Sequence, residues 1–273
     1  MCPSEPAGFS FEVLCIMENV IAADVGNSSI ELGLFQDNDL LFTERLQTQL
    51  EWTDRSMDKE IARILSEHQI KTQDLNGAIL SSVVPGIDPI LQKSLSKVTG
   101  RETVVMTTAL KTGIGTALYD TSNFGLDRLA DMSAAIAFYG SPSAVYDLGT
   151  CTTLSVTDRN ADFIGGMISA GIQLSLDVQA DRTAKLPQLS AAYADTLLGR
   201  DTRANMLSGS VAATGIMIDG VIDRIIEEYD LPDLKIILTG GNARYVLPWI
   251  RHRVSYDPDL LLKGLLSIYR RNS

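Results

Sequence analysis

The chain of 273 residues is long enough to bury a substantial core in one large domain or two small ones. Its net charge of −11 and pI near 4.6 argue against non-specific binding of nucleic acid, and no run of apolar residues is long enough to cross a bilayer. The three cysteines lack metal-site spacing and suit a reducing cytoplasm, and the two distant histidines argue against a histidine-centred metal site or a Ser-His-Asp triad.

Residues 1–16 differ in composition from the rest of the chain. They contain no Lys or Arg, so they lack the basic region of a signal peptide. Met17 would make a natural start, because it lies directly before the first predicted strand. We interpret residues 1–16 as an N-terminal extension, either an upstream addition or a misassigned start. An ordinary edge strand or helix is the alternative.

The first half of the chain, residues 17–124, is predicted to follow the order β-β-β-α-β-α-β. Alternating or continuous apolar runs predict the strands, and apolar stripes at helical spacing predict the helices. The predicted strands cover residues 20–24, 30–36, 40–47, 77–84 and 102–107. Thr53 is the predicted N-cap of the first helix, and the second helix covers residues 89–98.

The turn after the first strand carries a carboxylate, a glycine and small polar residues. Its sequence is Asp24-Val25-Gly26-Asn27-Ser28-Ser29, and Ile30 begins the next alternating run. Backbone N–H groups at such a glycine turn can point together at a phosphate, and hydroxyl groups add further donors. The turn is therefore a candidate phosphate site.

A second turn of the same form lies in the middle of the chain. Asp147-Leu148-Gly149-Thr150-Cys151-Thr152-Thr153 joins an apolar run to an alternating one, which predicts a hairpin. Because a carboxylate repels a phosphate, Asp147 can lie near a bound phosphate only if a cation or water lies between the two groups. Two such turns predict two related halves that face a shared cleft, with the phosphates of a nucleotide between the hairpins.

Between these turns, a loop over residues 113–123 leads to Gly125-Leu126-Asp127-Arg128 and a strongly apolar helix that runs to residue 139. Asp127 in the first helical turn has an ordinary explanation, since acidic groups there interact favourably with the helix dipole. Arg128 in the same turn does not, because a cation there is mildly unfavourable. The residues leave two interpretations open: a site that handles an anion, or a structural helix start.

The second half, residues 125–273, continues from the Asp147 hairpin in the order β-β-β-α-α-β-α-β-α. Glycines at 209, 215 and 220 make the second helix either one long helix or a kinked pair, and Thr239-Gly240-Gly241-Asn242 begins the third. After the hairpin, the predicted strands cover residues 162–168, 235–238 and 254–256, and the helices begin at residues 172, 201, 239 and 260.

Six motifs in this order resemble those of type III pantothenate kinases, a family within the superfamily of actin, hexokinase and the acyl and sugar kinases. The motifs are Asp24-x-Gly26-Asn27-Ser28, Gly125-x-Asp127-Arg128, Asp147-x-Gly149-Thr150-x-Thr152-Thr153, Gly165-Gly166-x-Ile168, Thr183-Ala184-x-Leu186-Pro187 and Thr239-Gly240-Gly241. Each motif alone is weak, but six in order are specific. The resemblance implies an α/β fold of two related ribonuclease-H-like halves, each a mixed β-sheet flanked by helices, with ATP in the cleft between them.

The resemblance also implies an activity and its requirements. The family phosphorylates pantothenate with ATP to 4′-phosphopantothenate, the first step of coenzyme A biosynthesis. The resemblance implies a cytoplasmic homodimer that needs a monovalent cation, K⁺ or NH₄⁺, and uses ATP with Mg²⁺. Pantothenate and ATP would be its small-molecule partners, without nucleic acid or membrane. The second half would supply the substrate and dimer elements.

Each matched residue acquires an implied role. Asp147 would lie at the monovalent cation, Asp127 would be the general base, and Arg128 would bind the carboxylate of pantothenate. The implied ATP contacts are Asp24, Val25, Gly26, Asn27, Ser28, Ser29, Ile30, Glu31 and Thr150. The implied pantothenate contacts are Tyr119, Gly125, Leu126, Asp127, Arg128 and Thr183, with Thr183 reaching across from the neighbouring subunit.

Two other classes of function remain open from the sequence. A non-catalytic regulatory relative would share the fold, although a pure binding protein need not keep Asp127, Arg128 and Asp147. A kinase for a different small hydroxylated substrate would share both the fold and the phosphate site, and fold alone does not exclude it.

Overall fold

The structure is a computed structural model that describes residues 17–27, 29–49, 51–116 and 124–273. The predictions about residues 1–16, Ser28 and Tyr119 lie outside the described residues. Within these ranges the chain forms two five-stranded mixed sheets with helices on their faces.

The first sheet has the strand order β3-β2-β1-β4-β5. β1 pairs antiparallel with β2 and parallel with β4. The strands are β1 (Asn19–Val25), β2 (Ser29–Gln36), β3 (Asp39–Gln47), β4 (Gly77–Ser82) and β5 (Val104–Val105). The helices α1 (Asp54–Glu67) and α2 (Asp88–Thr99) pack on one face, and Thr53 caps α1 as predicted, accepting a hydrogen bond from Ser56 N.

The second sheet repeats this arrangement in the order β10-β9-β6-β7-β8. β6 pairs antiparallel with β7 and parallel with β9, as β1 does with β2 and β4. The strands are β6 (Ser143–Leu148), β7 (Cys151–Thr157), β8 (Phe163–Ala170), β9 (Lys235–Thr239) and β10 (Ser255–Tyr256). Equivalent strands hold equivalent places, which confirms the prediction of two related halves.

The remaining helices follow the predicted order. They are α3 (Leu126–Ala134), α4 (Ile172–Arg182), α5 (Thr202–Leu207), α6 (Ala213–Glu228), α7 (Ala243–Val246) and α8 (Leu260–Asn272). A π-helical turn extends α3 to Tyr139, and a second one joins α5 to α6 into one helix over Thr202–Glu228. By length and composition this joined helix could cross a membrane, contrary to the sequence expectation. It packs instead as a core helix, with Met206, Val211, Ile218 and Ile222 buried against the second sheet.

β5 is much shorter than the predicted strand over residues 102–107. Thr103 is drawn towards α2, because its N–H donates to Ser96 Oγ at 3.0 Å and its hydroxyl donates to Gln92 O at 3.2 Å. Only Val104 and Val105 are left to pair with β4. The cap-like contacts with α2 replace ladder hydrogen bonds at the start of the predicted strand.

Helices α3 and α8 form a shared layer between the two sheets. Their buried residues pack with Val20 and Ala22 of the first sheet and with Val145 and Ile237 of the second. α8 also binds the outer end of the first half, since Tyr269 Oη donates to Asn76 O at 3.2 Å. The division of the chain near residue 124 stays a prediction. α8, which comes from the end of the chain, also contributes to the core beside the first sheet.

The backbones of α3 and α8 approach most closely at Gly264. A Cβ there would overlap the carbonyl oxygen of Ala130, so the contact requires glycine. We expect Gly264→Ala to lower the free energy of unfolding by about 1–3 kcal/mol, measured by denaturant titration. Gly220→Ala in α6 is the control, because a Cβ there meets nothing within 4 Å and should stabilise the helix by about 0.5–1 kcal/mol. Equal effects of the two substitutions would contradict the close packing of α3 on α8.

Candidate active site

Asp24 and Asp147 occupy equivalent places at the carboxyl ends of β1 and β6. Side chains alternate along a strand, and Ala23 and Val25 face α1 and α2, so Asp24 faces the layer of α3 and α8. In β6, Leu148 packs into the core beneath α6, so Asp147 faces the same shared layer from the other side. The fold thus directs both predicted carboxylates towards α3.

Helix α3 brings two further carboxylates to this place. Asp127 is exposed in the first turn, and its Oδ1 accepts a hydrogen bond from Arg128 N at 2.8 Å. Asp131 lies one turn later on the same face and is only 3% exposed. Its Oδ1 is buried and has no hydrogen-bond partner among the described residues. Sequence reasoning missed Asp131, although its i+4 spacing from Asp127 was the available signal.

Burial and repulsion raise the pKa of three carboxylates at this site, Asp24, Asp147 and Asp131. Burial raises the pKa of Asp24 to about 6, with repulsion from Asp127, Glu31 and Asp147 adding to it against a hydrogen bond from Ser81. Burial and repulsion from Asp127 likewise raise the pKa of Asp147 to about 6.

Asp131 follows the same pattern. Its pKa lies well above the usual value because of burial first, then repulsion from Asp147, Asp127 and Asp24 and a further contribution from Asp257. In the described part of the chain, no Lys, Arg or His forms an ion pair with Asp24, Asp127, Asp131 or Asp147. The site is therefore short of positive charge.

This shortage has a direct effect on stability. Asp24 binds its proton more tightly in the folded protein than in the unfolded chain, since its pKa is raised from 3.8 to about 6. The proton on Asp24 therefore stabilises the folded protein below about pH 4, and this stabilisation is lost as the pH rises through about 6. At neutral pH the folded protein without ligand therefore holds ionised carboxylates at a free-energy cost that a bound cation would offset.

The two strand-end turns share their backbone hydrogen bonding. Gly26 N donates to Ser29 O at 2.9 Å, and Gly149 N donates to Cys151 O at 3.0 Å. These glycine N–H groups are thus used within the turns. Asn27 and Thr150 at the tips are exposed and leave their side-chain donors accessible to a phosphate.

Glu31 lies beside Asp24 in the first sheet, as the register of β1 with β2 pairs the two residues. Burial raises its pKa, which the charge of Arg45 partly opposes. Arg45 Nη2 also donates to Ser29 Oγ at 2.9 Å. Val25 and Ile30 are fully buried and support the turn from within the core.

The turn from β9 to α7 packs directly against the Asp147 hairpin. Asn242 N donates to Leu148 O at 3.1 Å, and its Nδ2 donates to Gly149 O at 3.4 Å. Gly240 has φ +87°, and a Cβ there would overlap the Asp147 carboxylate. The glycine predicted to begin a helix therefore also makes room for Asp147.

Arg128 is held inside the protein between β7 and two aromatic rings. Its Nε donates to Ser155 Oγ at 3.0 Å and its Nη2 donates to Leu154 O at 3.1 Å. Its Cζ lies 4.9 Å from the centre of the Phe124 ring and 5.6 Å from that of Phe163. These contacts fix the guanidinium against β7, near the start of α3.

Thr183 lies apart from this cluster at the end of α4 and is exposed. Its hydroxyl donates to Gln179 O at 2.8 Å and accepts from Leu186 N at 3.3 Å. Neither bond involves α3. The structure therefore gathers Asp24, Asp127 and Asp147 at one place, and among the described residues Thr183 forms no hydrogen bond with them.

Comparison with known proteins is consistent with this arrangement. A family described as type III pantothenate kinase matches residues 20–224. A type III pantothenate kinase from Agathobacter rectalis is 33% identical over 93% of this chain and 98% of its own length. One from Shouchella clausii is 32% identical over 93% of this chain and 99% of its own length.

Solved structures give the fold alone. A Baf-family transcriptional activator from Campylobacter jejuni has a TM-score of 0.54 at 18% identity, covering 92% of this chain and 97% of that one. Component A of (R)-2-hydroxyglutaryl-CoA dehydratase from Acidaminococcus fermentans has a TM-score of 0.51 at 11% identity, covering 92% and 96%. The match over residues 20–224 and the similarity over almost the whole length of the relatives assign the family: the chain belongs to the type III pantothenate kinases.

Proposed function

We propose that the chain transfers the γ-phosphoryl group of ATP to pantothenate in the cleft between its two sheets, as the first step of coenzyme A biosynthesis in the cytoplasm. The observation that carries this proposal is the convergence of Asp24, Asp127 and Asp147 at the carboxyl ends of β1 and β6 and the start of α3. A regulatory binding protein would have no need for carboxylates held together against their repulsion.

Asp127 is the general base of the proposed reaction. It is the exposed carboxylate of the group, so it can reach a substrate hydroxyl. The hydroxyl oxygen attacks the γ-phosphorus, ADP leaves, and the hydroxyl proton passes to Asp127. Phosphoryl transfer depends mainly on positioning and charge neutralisation, so the proton moves late. The Arg128 N–H bond to Asp127 Oδ1 holds the carboxylate in place.

Arg128 binds the carboxylate of pantothenate. A guanidinium has five N–H donors, and the bonds to Leu154 and Ser155 use two of them. Among the described residues the others have no hydrogen-bond partner, so they can bind a carboxylate, which a guanidinium contacts with two parallel hydrogen bonds. Gly125 and Leu126 form the adjoining backbone of the pantothenate site, and Tyr119 is proposed to complete it.

The turn residues 24–31 and Thr150 hold the phosphates of ATP. Asn27, Ser28, Ser29 and Thr150 supply side-chain donors, while Val25, Gly26 and Ile30 set the path of the turn. Asp24 and Glu31 are negative, so they act on the phosphates through Mg²⁺ or water.

Asp147 fits a weakly bound monovalent cation, K⁺ or NH₄⁺. It is a partly buried carboxylate without an ion-pair partner in the described ranges, and Gly240 leaves space against it. Among the described residues no group of three or more His, Cys, Asp or Glu could hold a metal ion, so a cation at Asp147 would not be held by three such side chains together. A cation bound there would neutralise charge between Asp147 and the phosphates.

A homodimer with a shared active site accounts for the position of Thr183. β8 is an edge strand with Ile168 66% exposed, and Val178 on α4 is 50% exposed. Met167 on β8 and Leu174 on α4 are also exposed apolar residues. Burial of β8 and α4 against a second copy would bring Thr183, at the end of α4, to the pantothenate site of the partner subunit.

The activity is tested by incubating the protein with ATP and a panel of small alcohols that includes pantothenate. We expect turnover with pantothenate and a loss of roughly 10²–10⁴-fold in kcat for Asp127→Asn, because the base is removed while the fold is kept. ATP binding measured by calorimetry should be unchanged. A variant within a few-fold of the wild type would remove Asp127 from the role of base, and turnover of another alcohol alone would favour a different kinase.

The cation is tested by exchanging K⁺ for Na⁺ in the assay. We expect activity to fall in a buffer with Na⁺ alone and to return on addition of K⁺ or NH₄⁺. Asp147→Asn should weaken ATP binding and abolish the response to K⁺, since the anchor loses its charge. Full wild-type activity with Na⁺ as the sole monovalent cation would contradict this assignment.

The shared site is tested by mixing Asp127→Asn chains with Thr183→Ala chains, each nearly inactive alone. If Thr183 acts across the interface, one site of each mixed dimer carries both defects and the other carries neither. Random exchange should then restore about a quarter of the wild-type activity. Mass spectrometry should first confirm that the subunits have exchanged. If activity then does not recover, Thr183 acts within its own subunit or is unimportant.

A further inference from the structure

We propose that Ser155 on β7 is a positioning residue for Arg128: it turns the guanidinium so that β7 holds one edge and the end of the group faces the substrate. The inference rests on the proposed function for the substrate carboxylate and adds the residue that directs Arg128 towards it. The residues around the guanidinium, which we call the guanidinium pocket, are Phe124, Leu154, Ser155, Phe163 and Gly166.

Ser155 faces the shared layer of α3 and α8 from the second sheet. Its neighbours Leu154 and Val156 pack into the core beneath α6, and side chains alternate along a strand, so Ser155 points to the opposite face. Ser155 is 3% exposed and Arg128 is 9% exposed. The hydroxyl and the guanidinium therefore meet inside the protein, where an unpaired N–H group would be costly.

Gly166 of β8 leaves the space that the guanidinium fills. It pairs with Ser155 in the register of β7 with β8. A Cβ at Gly166 would overlap Leu154 O and would lie 2.6 Å from Arg128 Nη2. The guanidinium pocket thus accounts for the second glycine of the Gly165-Gly166 motif, which the phosphate turns do not use.

β7 holds one edge of the guanidinium. Arg128 Nε donates to Ser155 Oγ at 3.0 Å, and Nη2 donates to Leu154 O at 3.1 Å. The Nε–H group and one N–H of Nη2 lie side by side along one edge of the planar group, so both bonds go to the same strand. The end formed by Nη1 and the second N–H of Nη2 has no hydrogen-bond partner in the described part of the chain. Its two parallel N–H groups match the two oxygens of a carboxylate.

Ser155 supplies the part of this arrangement that belongs to a side chain. Leu154 contributes a main-chain carbonyl, whereas Ser155 Oγ is the one side-chain hydrogen-bond acceptor for the guanidinium among the described residues. Without Oγ, the buried Nε–H group would lack a partner, and the guanidinium would turn to find another. The end of the group would then lose its alignment with the carboxylate.

The guanidinium pocket is neutral, which leaves the charge of Arg128 for the substrate. Besides the hydroxyl and the carbonyl, the rings of Phe124 and Phe163 lie 4.9 and 5.6 Å from Cζ. Arg128 takes part in none of the ion pairs formed within the described ranges. The pocket thus holds the guanidinium without neutralising it, and a carboxylate bound at its end would be its counter-ion.

The first test measures kcat and KM for pantothenate at saturating ATP in the Ser155→Ala variant. We expect KM to rise about three- to tenfold, from the loss of one hydrogen bond that orients the guanidinium. We expect kcat to stay within about twofold, because Asp127 Oδ1 accepts from the main-chain N–H of Arg128, which the substitution keeps. An unchanged KM would overturn the positioning role.

A double-mutant cycle with Arg128→Lys separates positioning from a general effect on the strand. A lysine has a single amino group and cannot form the two parallel bonds along β7. Ser155→Ala should therefore lower kcat/KM in the Arg128 protein and leave it unchanged in the Arg128→Lys protein. An equal loss in both backgrounds would show that Ser155 acts independently of Arg128.

Ser143 provides a matched control on the neighbouring strand. It is a fully buried serine whose hydroxyl shares a hydrogen bond with Thr157 Oγ1 at 2.9 Å, and it lies at the opposite end of β6 from Asp147. Ser143→Ala should lower the melting temperature, as Ser155→Ala does, and leave KM unchanged. An equal rise in KM would attribute the effect of Ser155→Ala to lost stability.

A measurement without substrate separates this inference from the proposed function. In protein with ¹⁵N-labelled arginine, the Nε–H signal that is missing from the Arg128→Lys variant belongs to Arg128. We expect its exchange with water to be slow in the wild type and faster by roughly tenfold or more in Ser155→Ala. Equal exchange rates would overturn the role of Ser155. Slow exchange in a protein that does not phosphorylate pantothenate would contradict the proposed function and still support the orientation of Arg128 by Ser155.

Discussion

Burial and mutual repulsion of neighbouring carboxylates form the constraint on which this site depends. Asp24, Asp127, Asp131 and Asp147 come from three different elements, and burial with repulsion raises the pKa of three of them. A fold optimised only for stability would separate or pair such groups. Here the ends of two sheets and one helix hold them together, so a cation bound among them would stabilise the folded protein.

The shared layer of α3 and α8 explains how two similar halves make one site. Each sheet presents its carboxylate to the layer at the same strand end, because β1 and β6 are equivalent in order and direction. α3 follows β5 as α8 follows β10, but only α3 carries the groups that the proposed function assigns to the acceptor, Asp127 and Arg128. In that proposal the two strand-end turns contact the nucleotide, and α3 contacts the molecule that is phosphorylated.

Much of the fold and of the candidate site could be predicted from the sequence because the signals are local. The two glycine turns, the cap at Thr53 and the alternating strands each lie within a few residues, and all were found. The features that were missed needed tertiary information. The loss of strand at Thr103 depends on hydrogen bonds to α2, and the burial of Asp131 depends on where α3 packs. The bonds from Arg128 to β7 join residues 26 and 27 positions apart, so no local pattern could reveal them.

The position of α8 also constrains how the chain acquires its structure during synthesis. The first sheet leaves one face, with Val20, Ala22 and Ile79, to be covered by α3 and α8. A ribosome delivers α3 soon after the first sheet but residues 260–272 only after the entire second sheet, so the part of that face beneath α8 stays open to water through most of translation. The N-terminal half therefore cannot mature as an independent unit, and an emerging chain must avoid aggregation at this surface until its last helix arrives.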